Sequence, residues 1–213
     1  MPLPSRRNRQ RVKNAIARFS YCAVRVARRP RLEEEKVFCI GRNKTGTTTM
    51  ARTLVELGYR VAPQRYAELL SDECYFRGRF GPIVTYCEYY NAFQDIPFSW
   101  PGTYKVMDEA FPNARFILTV RDTPEQWCDS VLRFQSKRFG VNGRIPTADD
   151  LRAAEYVRPG FVFRSKGVWG LGESDFCDRD ALICTYVDYL DEVERYFQLR
   201  SEKLLKVNVA RPE

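Results

Sequence analysis

Apolar residues in this chain fall into two kinds of run. Val37-Phe38-Cys39-Ile40, Arg115–Val120 (RFILTV) and Lys203–Val209 (KLLKVNV) are short and bounded by polar or turn residues, as strands of a buried parallel sheet require. Between them apolar residues recur at three- and four-residue steps. Met50, Leu54 and Leu57 precede Gly58 at a C-cap position, and Trp127, Val131 and Phe134 follow an N-cap, Thr123, and a first-turn Pro124. Further helices are predicted over 64–70, 83–93, 102–111, 147–156 (Thr147 as cap, Asp149 and Asp150 in the first turn) and 178–197. Residues 59–62 read as a short strand, and 71–82, 94–100 and 138–146 as loops. The glycine-dense stretch 158–174 reads as a lid or binding loop. Strand signals separated by helices imply an α/β fold: a three-layer, mostly parallel sheet of about 3–5 strands flanked by helices.

Ahead of this body, residues 1–9 read as a disordered start. Val12, Ile16, Phe19, Ala23 and Val26 then mark an amphipathic helix over about 10–29, and residues 29–35 read as a linker. Residues 1–31 hold ten Lys/Arg and no acid, so the net charge of +8 becomes −2 once this arm is set aside. The arm (1–35) and the α/β domain (36–213) are therefore treated as separate units. Simple docking on the domain is the favoured role for the helix. A peripheral contact with an anionic membrane surface and an Arg-rich targeting segment are the alternatives. No basic–aromatic interleaving supports a nucleic-acid partner.

A chain of 213 residues suits one domain with a real core. Its seven cysteines are odd in number and include no C-x-x-C pair, which points to reduced thiols and a cytoplasmic setting. There is no histidine, which excludes a Ser-His-Asp triad, a His-ligated metal and a histidine base.

The densest chemical signal is Gly41-Arg42-Asn43-Lys44-Thr45-Gly46-Thr47-Thr48, set between the first strand and a helix. That geometry turns backbone N–H groups and a helix N-terminus toward an anion. The glycine spacing is that of a Walker loop, but Thr47 stands where the Walker lysine belongs, and Lys44 lies inside the loop instead. An ordinary βα turn is the plainer alternative. Arg121 ends the second strand, and strand carboxyl ends are where open parallel sheets collect ligands. A salt bridge to Asp122 or Asp129 is the plainer role for it. The aromatic run Tyr75, Phe76, Phe80, Tyr86, Tyr89, Tyr90 and Phe93 is either helical core or an acceptor pocket.

The lysine-bearing loop and the segment 114–130 (ARFILTVRDTPEQWCDS), with Asp95-Ile96-Pro97 between them, resemble the donor motifs of sulfotransferases over about residues 36–209. The resemblance implies a P-loop-like fold and 3′-phosphoadenosine 5′-phosphosulfate as sulfuryl donor, with adenosine 3′,5′-bisphosphate as product. It places Arg42, Asn43, Lys44, Thr45, Gly46, Thr47 and Thr48 on the 5′-phosphosulfate, and Arg121 and Ser130 on the 3′-phosphate. The step from Arg121 to Ser130 is nine residues, one more than is common in the family. Lys44 is expected to be catalytic, Lys105 to be a second cation, and no metal is expected. Asp95 is preferred as general base over Glu88 and Asp108 because a carboxylate must replace the absent histidine and Pro97 favours an extended loop there. A turn-forming aspartate is the alternative. The acceptor would be a hydroxyl or amine on a small molecule, carbohydrate or peptide. The family also carries a helix beyond the last strand, so the domain is expected to be C-terminally short. A P-loop kinase or NTPase, and a non-catalytic nucleotide-binding protein, are the competing functions.

Overall fold

The computed structural model describes residues 5–30 and 33–209. Four strands, β1 (Val37–Cys39), β2 (Ala92–Gln94), β3 (Arg115–Thr119) and β4 (Leu204–Val207), form one parallel sheet in the order β2-β1-β3-β4. Val37 pairs with Ala92 on one side and Arg115 on the other, and Phe116 pairs with Leu204. Successive residues of a strand face opposite sides, so one sequence builds two cores. Phe38 and Phe116 point into the larger, where Phe38 stacks on Phe93 at 4.7 Å and Phe116 meets Phe197 at 4.8 Å. Val37, Cys39 and Ile117 point into the smaller, against Met50 and Leu54.

Nine α-helices are assigned among the described residues, numbered in chain order. They are α1 (Arg6–Ala27), α2 (Thr47–Glu56), α3 (Gln64–Glu73), α4 (Gly81–Cys87), α5 (Thr103–Ala110), α6 (Pro124–Phe139), α7 (Ala148–Ala153), α8 (Phe161–Gly167) and α9 (Arg179–Phe197). Thr147 caps α7 in a reciprocal box with Asp150, and Thr123 caps α6. After β1 the chain moves to one flank of the sheet for β2, then crosses to the other for β3. The strand order therefore reverses between β1 and β3, and a crevice opens outside their carboxyl ends.

Several expectations change. The helix expected over 83–93 ends at Cys87, and the chain then extends into β2, because three residues of parallel pairing are too short to leave a periodic trace. Tyr86, Tyr89, Tyr90 and Phe93 are buried in the main core, so the aromatic run is core and not a pocket wall. Leu57 is turned outward at 68% exposure, and Phe134, at 39%, lies outside the core that Trp127 and Val131 enter.

Residues 6–9, expected to be disordered, open α1; residues 1–4 and the linker positions 31 and 32 lie outside the described residues. The helix docks, but through a different face than its apolar stripe. Ala17 and Tyr21 are buried, and Tyr21 stacks on Tyr66 at 4.3 Å. Asn14 donates to the Val157 carbonyl at 2.7 Å and accepts from Arg65 Nε at 2.9 Å.

Candidate functional site

The loop after β1 lies tight against β3. A Cβ on Gly41 would stand 2.4 Å from the Thr119 carbonyl oxygen and 2.7 Å from its amide nitrogen, so only glycine fits. Thr45 Oγ1 meets Thr119 Oγ1 at 2.6 Å and donates to the Arg42 carbonyl at 2.5 Å. Other loop carbonyls are taken from outside. Tyr189 OH donates to Ile40 O at 2.7 Å, Trp127 Nε1 to Asn43 O at 2.9 Å, and Arg121 Nε to Lys44 O at 2.8 Å. Trp127 is itself fixed by stacking on Tyr186 at 4.5 Å, whose hydroxyl accepts from the Arg121 amide at 3.2 Å.

A trans peptide points its C=O and its N–H in opposite directions. Holding the Arg42 and Asn43 carbonyls therefore turns the Asn43 and Lys44 amides the other way. Among the described residues no acceptor meets the amides of Asn43, Lys44, Gly46, Thr47 or Thr48. Gly46, at φ 103°, leads into α2, whose first turn adds its own free amides. Lys44 itself has φ 73°, a backbone state that L residues other than Gly, Asn and Asp seldom adopt. The result is a concave cluster of donors with a lysine in it, suited to an anion.

Beside the loop lies a cavity of about 330 Å³. Arg42, Asn43, Asp95, Glu68, Arg138 and Lys166 are among its polar lining, and Trp100, Phe134, Phe139, Tyr156, Phe161 and Trp169 form its aromatic walls. Asp95 follows β2 at φ 58°, just before the cis Ile96–Pro97 peptide, and its Oδ1 accepts from the Ile96 amide at 3.0 Å. Burial lifts its carboxyl to about 6, opposed by that hydrogen bond and by the charge of Lys44. Glu68, on α3, is pushed to about 7 by burial against a hydrogen bond from Tyr156 and the Arg65 charge, with Asp95 adding to the rise. Lys166, on α8, is brought down to about 7 by burial, and its Nζ has no hydrogen-bond partner. Arg42 is buried between the rings of Tyr189 and Trp169, at 4.5 and 4.8 Å, and burial lowers it to about 10. It donates to the Thr185 carbonyl through one nitrogen, while Nε and Nη1 have no partner. Two buried basic groups, Arg42 and Lys166, thus line one cavity with two carboxyls, and burial brings Lys166 and both carboxyls toward neutrality.

The residues singled out from sequence do not all converge. Arg42, Asn43 and Asp95 line the cavity, Lys44 sits over the ring of its wall residue Phe134 at 4.5 Å, and Arg121 touches the loop. Thr45 and Thr47 are buried, Thr45 bonded as described, and Thr48 is exposed. Ser130 lies half-buried two turns into α6. Lys105 does not line the cavity; it is exposed on α5 and pairs with Glu192 of α9 at 2.7 Å. Of the rival carboxylates, Asp108 is held by Lys203 at 2.6 Å and by Tyr196 at 2.9 Å, and Glu88 caps α4 away from the cavity. The stretch read as a lid or binding loop folds as α8 and its flanks, and forms one wall. Lys166 and Trp169 fall within that stretch but are not singled out by its pattern, and Glu68 sits in an ordinary helical pattern. A lysine amid Val162, Phe163 and Trp169 was the one available signal.

No helix of the described residues is long and apolar enough to cross a membrane. No curated protein matches the chain. The family model described as sulfotransferase domain matches residues 36–211, from the residue before β1 to just past β4. That match takes in the donor-lined loop, Arg121 and the cavity together, and the chain belongs to the sulfotransferase domain family.

Proposed function

We propose that the protein moves a sulfuryl group from 3′-phosphoadenosine 5′-phosphosulfate to a hydroxyl or amine of a small-molecule, carbohydrate or peptide acceptor seated in the cavity. The observation that carries this is the loop: unpartnered amides at Asn43, Lys44, Gly46, Thr47 and Thr48, with a lysine side chain in place among them. When bound, the donor supplies the sulfuryl group and a phosphate as leaving group. Asn43, Lys44, Gly46, Thr47 and Thr48 hold the 5′ side, and donors fixed before the reaction stabilise charge as it develops on the departing oxygen. Arg42 faces the same space from the cavity side. Arg121 Nε is committed to the loop, which leaves the two terminal nitrogens of its guanidinium for the 3′-phosphate, and Ser130 of α6 is the second group proposed to hold it. Asp95 takes the acceptor proton. Its raised carboxyl makes it a stronger base than an exposed aspartate, and it is ionised above about pH 6. All seven cysteines are free, in keeping with a reducing compartment such as the cytoplasm.

An ATP-dependent reading lacks its cation, since Thr47 occupies the Walker lysine position. The test is thermal shift with adenosine 3′,5′-bisphosphate against ATP–Mg²⁺, followed by transfer of labelled sulfuryl from the donor to a panel of hydroxyl and amine acceptors. Stabilisation by ATP–Mg²⁺ alone refutes the proposal in favour of a kinase. Stabilisation by the bisphosphate with no transfer to any acceptor refutes catalysis and leaves a binding protein.

A further inference from the structure

The face by which α1 docks leaves its apolar stripe in water. Val12, Ile16, Phe19 and Val26 are 58, 59, 77 and 90% exposed. At 100° per residue they share one side of the helix with Ala23, diametrically opposite the docked Ala17 and Tyr21. The stripe runs for about 21 Å along the helix axis. Basic residues border it: Arg9 and Lys13 on one side, Arg11 on the other. On the first side a groove of about 660 Å³ separates α1 from the end of α6, where Arg6, Arg9 and Lys13 face Lys137 and Arg138. Asp150 and Glu155 are the acids there, and Asp150 is already paired with Arg144 at 2.7 Å.

A helix held to its domain by one face, with an apolar ridge between basic flanks on the other, has the construction of an interfacial helix. We propose that α1 seats the protein on an anionic lipid surface, with Val12, Ile16, Phe19 and Val26 entering the acyl boundary and the flanking arginines and lysines meeting the headgroups. Charge complementarity selects this occupant. A second copy of the chain would set the same basic flanks against each other, and a nucleic acid would leave the apolar ridge in water. The basic groove and the cavity share Arg138 and Phe139, so this seating would bring the cavity close to the bilayer surface.

The experiment is sedimentation of the full chain with unilamellar vesicles of phosphatidylcholine alone, or containing ~30% phosphatidylserine. Binding should be confined to the anionic vesicles and fall with added salt. Ile16→Asp with Phe19→Asp should weaken it by at least ~tenfold. Both side chains are exposed, so the melting temperature should not move. A Phe19→Trp variant gives an independent reading, since its emission should be quenched by brominated acyl chains. Equal binding to both vesicle types, no binding to either, or unchanged binding by the double variant overturns the proposal. So does a dimer that Phe19→Asp dissociates, which would make the ridge an interface between copies.

Discussion

Asp95→Asn separates the two things the Asp95 carboxylate does. The carboxyl stands at about 6 in the folded protein against 3.8 when free, because burial disfavours its charge. The folded state therefore holds its proton more tightly, and the unfolded chain releases it first as pH rises. Stability is lost across the window from about pH 4 to pH 6, and the full penalty of ~3 kcal/mol applies above it. Contact with the cavity and with solvent reduces this to ~1–2 kcal/mol. Asparagine removes the charge and keeps an oxygen for the Ile96 amide. The variant should therefore melt ~3–6 °C higher than the parent at pH 7.5, with the difference closing by pH 4. Transfer should fall ~10²–10⁴-fold, and the rise of rate with pH near 6 should vanish, while affinity for adenosine 3′,5′-bisphosphate stays the same. Scanning calorimetry at the two pH values and labelled-donor transfer across pH 5–8 read all of this. A variant that keeps the ascending limb of the pH profile, or loses less than ~tenfold in rate, would refute Asp95 as the base. Glu68, the other raised carboxyl of the cavity, is then the next to substitute.

Lys44→Ala should cost ~2.7–4 kcal/mol of transition-state stabilisation in the transfer assay. Lys44→Gly should lose transfer equally yet gain ~1 kcal/mol in stability by relieving the positive φ, which a denaturant melt resolves from misfolding. Arg121→Ala should weaken adenosine 3′,5′-bisphosphate by ~1.5–3 kcal/mol more than AMP in calorimetric titration, and equal losses would mean that Arg121 only holds the loop. Gly41→Ala should destabilise by ~1–3 kcal/mol or more in urea, because its Cβ meets Thr119 backbone that cannot move without parting β1 from β3. Lys166→Met should stabilise the protein more at pH 6 than at pH 10.5: for a lysine brought from 10.5 down to about 7, the cost to stability builds as pH falls from 10.5 to 7 and stays full below, and thermal melts at the two pH values check the sign.

What the sequence disclosed and what it withheld divide along physical lines. β1, β3 and the loop between β1 and α2 were legible because strand burial and glycine spacing are local properties. So were the caps at Thr123 and Thr147, each a side chain bonding an amide three residues on. β2 was not legible: Ala92–Gln94 is a strand only because Val37–Cys39 lies beside it. The apolar stripe of α1 was legible, but which face of the helix docks was not, since periodicity reports where apolar residues are and not what covers them. Tyr21, on the other side, carries more buried surface than any residue of the stripe. The cavity was legible in part. Arg42 and Asp95 come from segments adjoining sheet strands, whereas Glu68 and Lys166 arrive from α3 and α8, and only tertiary packing strips water from them.

The electrostatics of the loop follow from where its carbonyls go. A turn of six residues carries as many negative carbonyl ends as positive amide ends, so composition alone makes it no anion site. Here the negative ends of Ile40, Asn43 and Lys44 are taken by Tyr189, Trp127 and Arg121, and that of Arg42 by Thr45 within the loop. The three outside donors come from α9, from α6 and from the end of β3, elements up to 149 residues away in sequence. Two are aromatic side chains that bring a single donor on a rigid, buried body, which fixes the carbonyl without adding a mobile charge. The third is Arg121, which places a cation beside the loop as it fixes the peptide. The amide ends of Asn43, Lys44, Gly46, Thr47 and Thr48 are thereby left with no acceptor of their own among the described residues. Lys44 can adopt its left-handed backbone because the carbonyls of Asn43 and Lys44 are both held, so the strain at the lysine is maintained by α6 and β3 and not by the loop itself. A site prepared in this way needs little reorganisation when an anion arrives, and preorganised donors of that kind are the largest single source of transition-state stabilisation in group transfer.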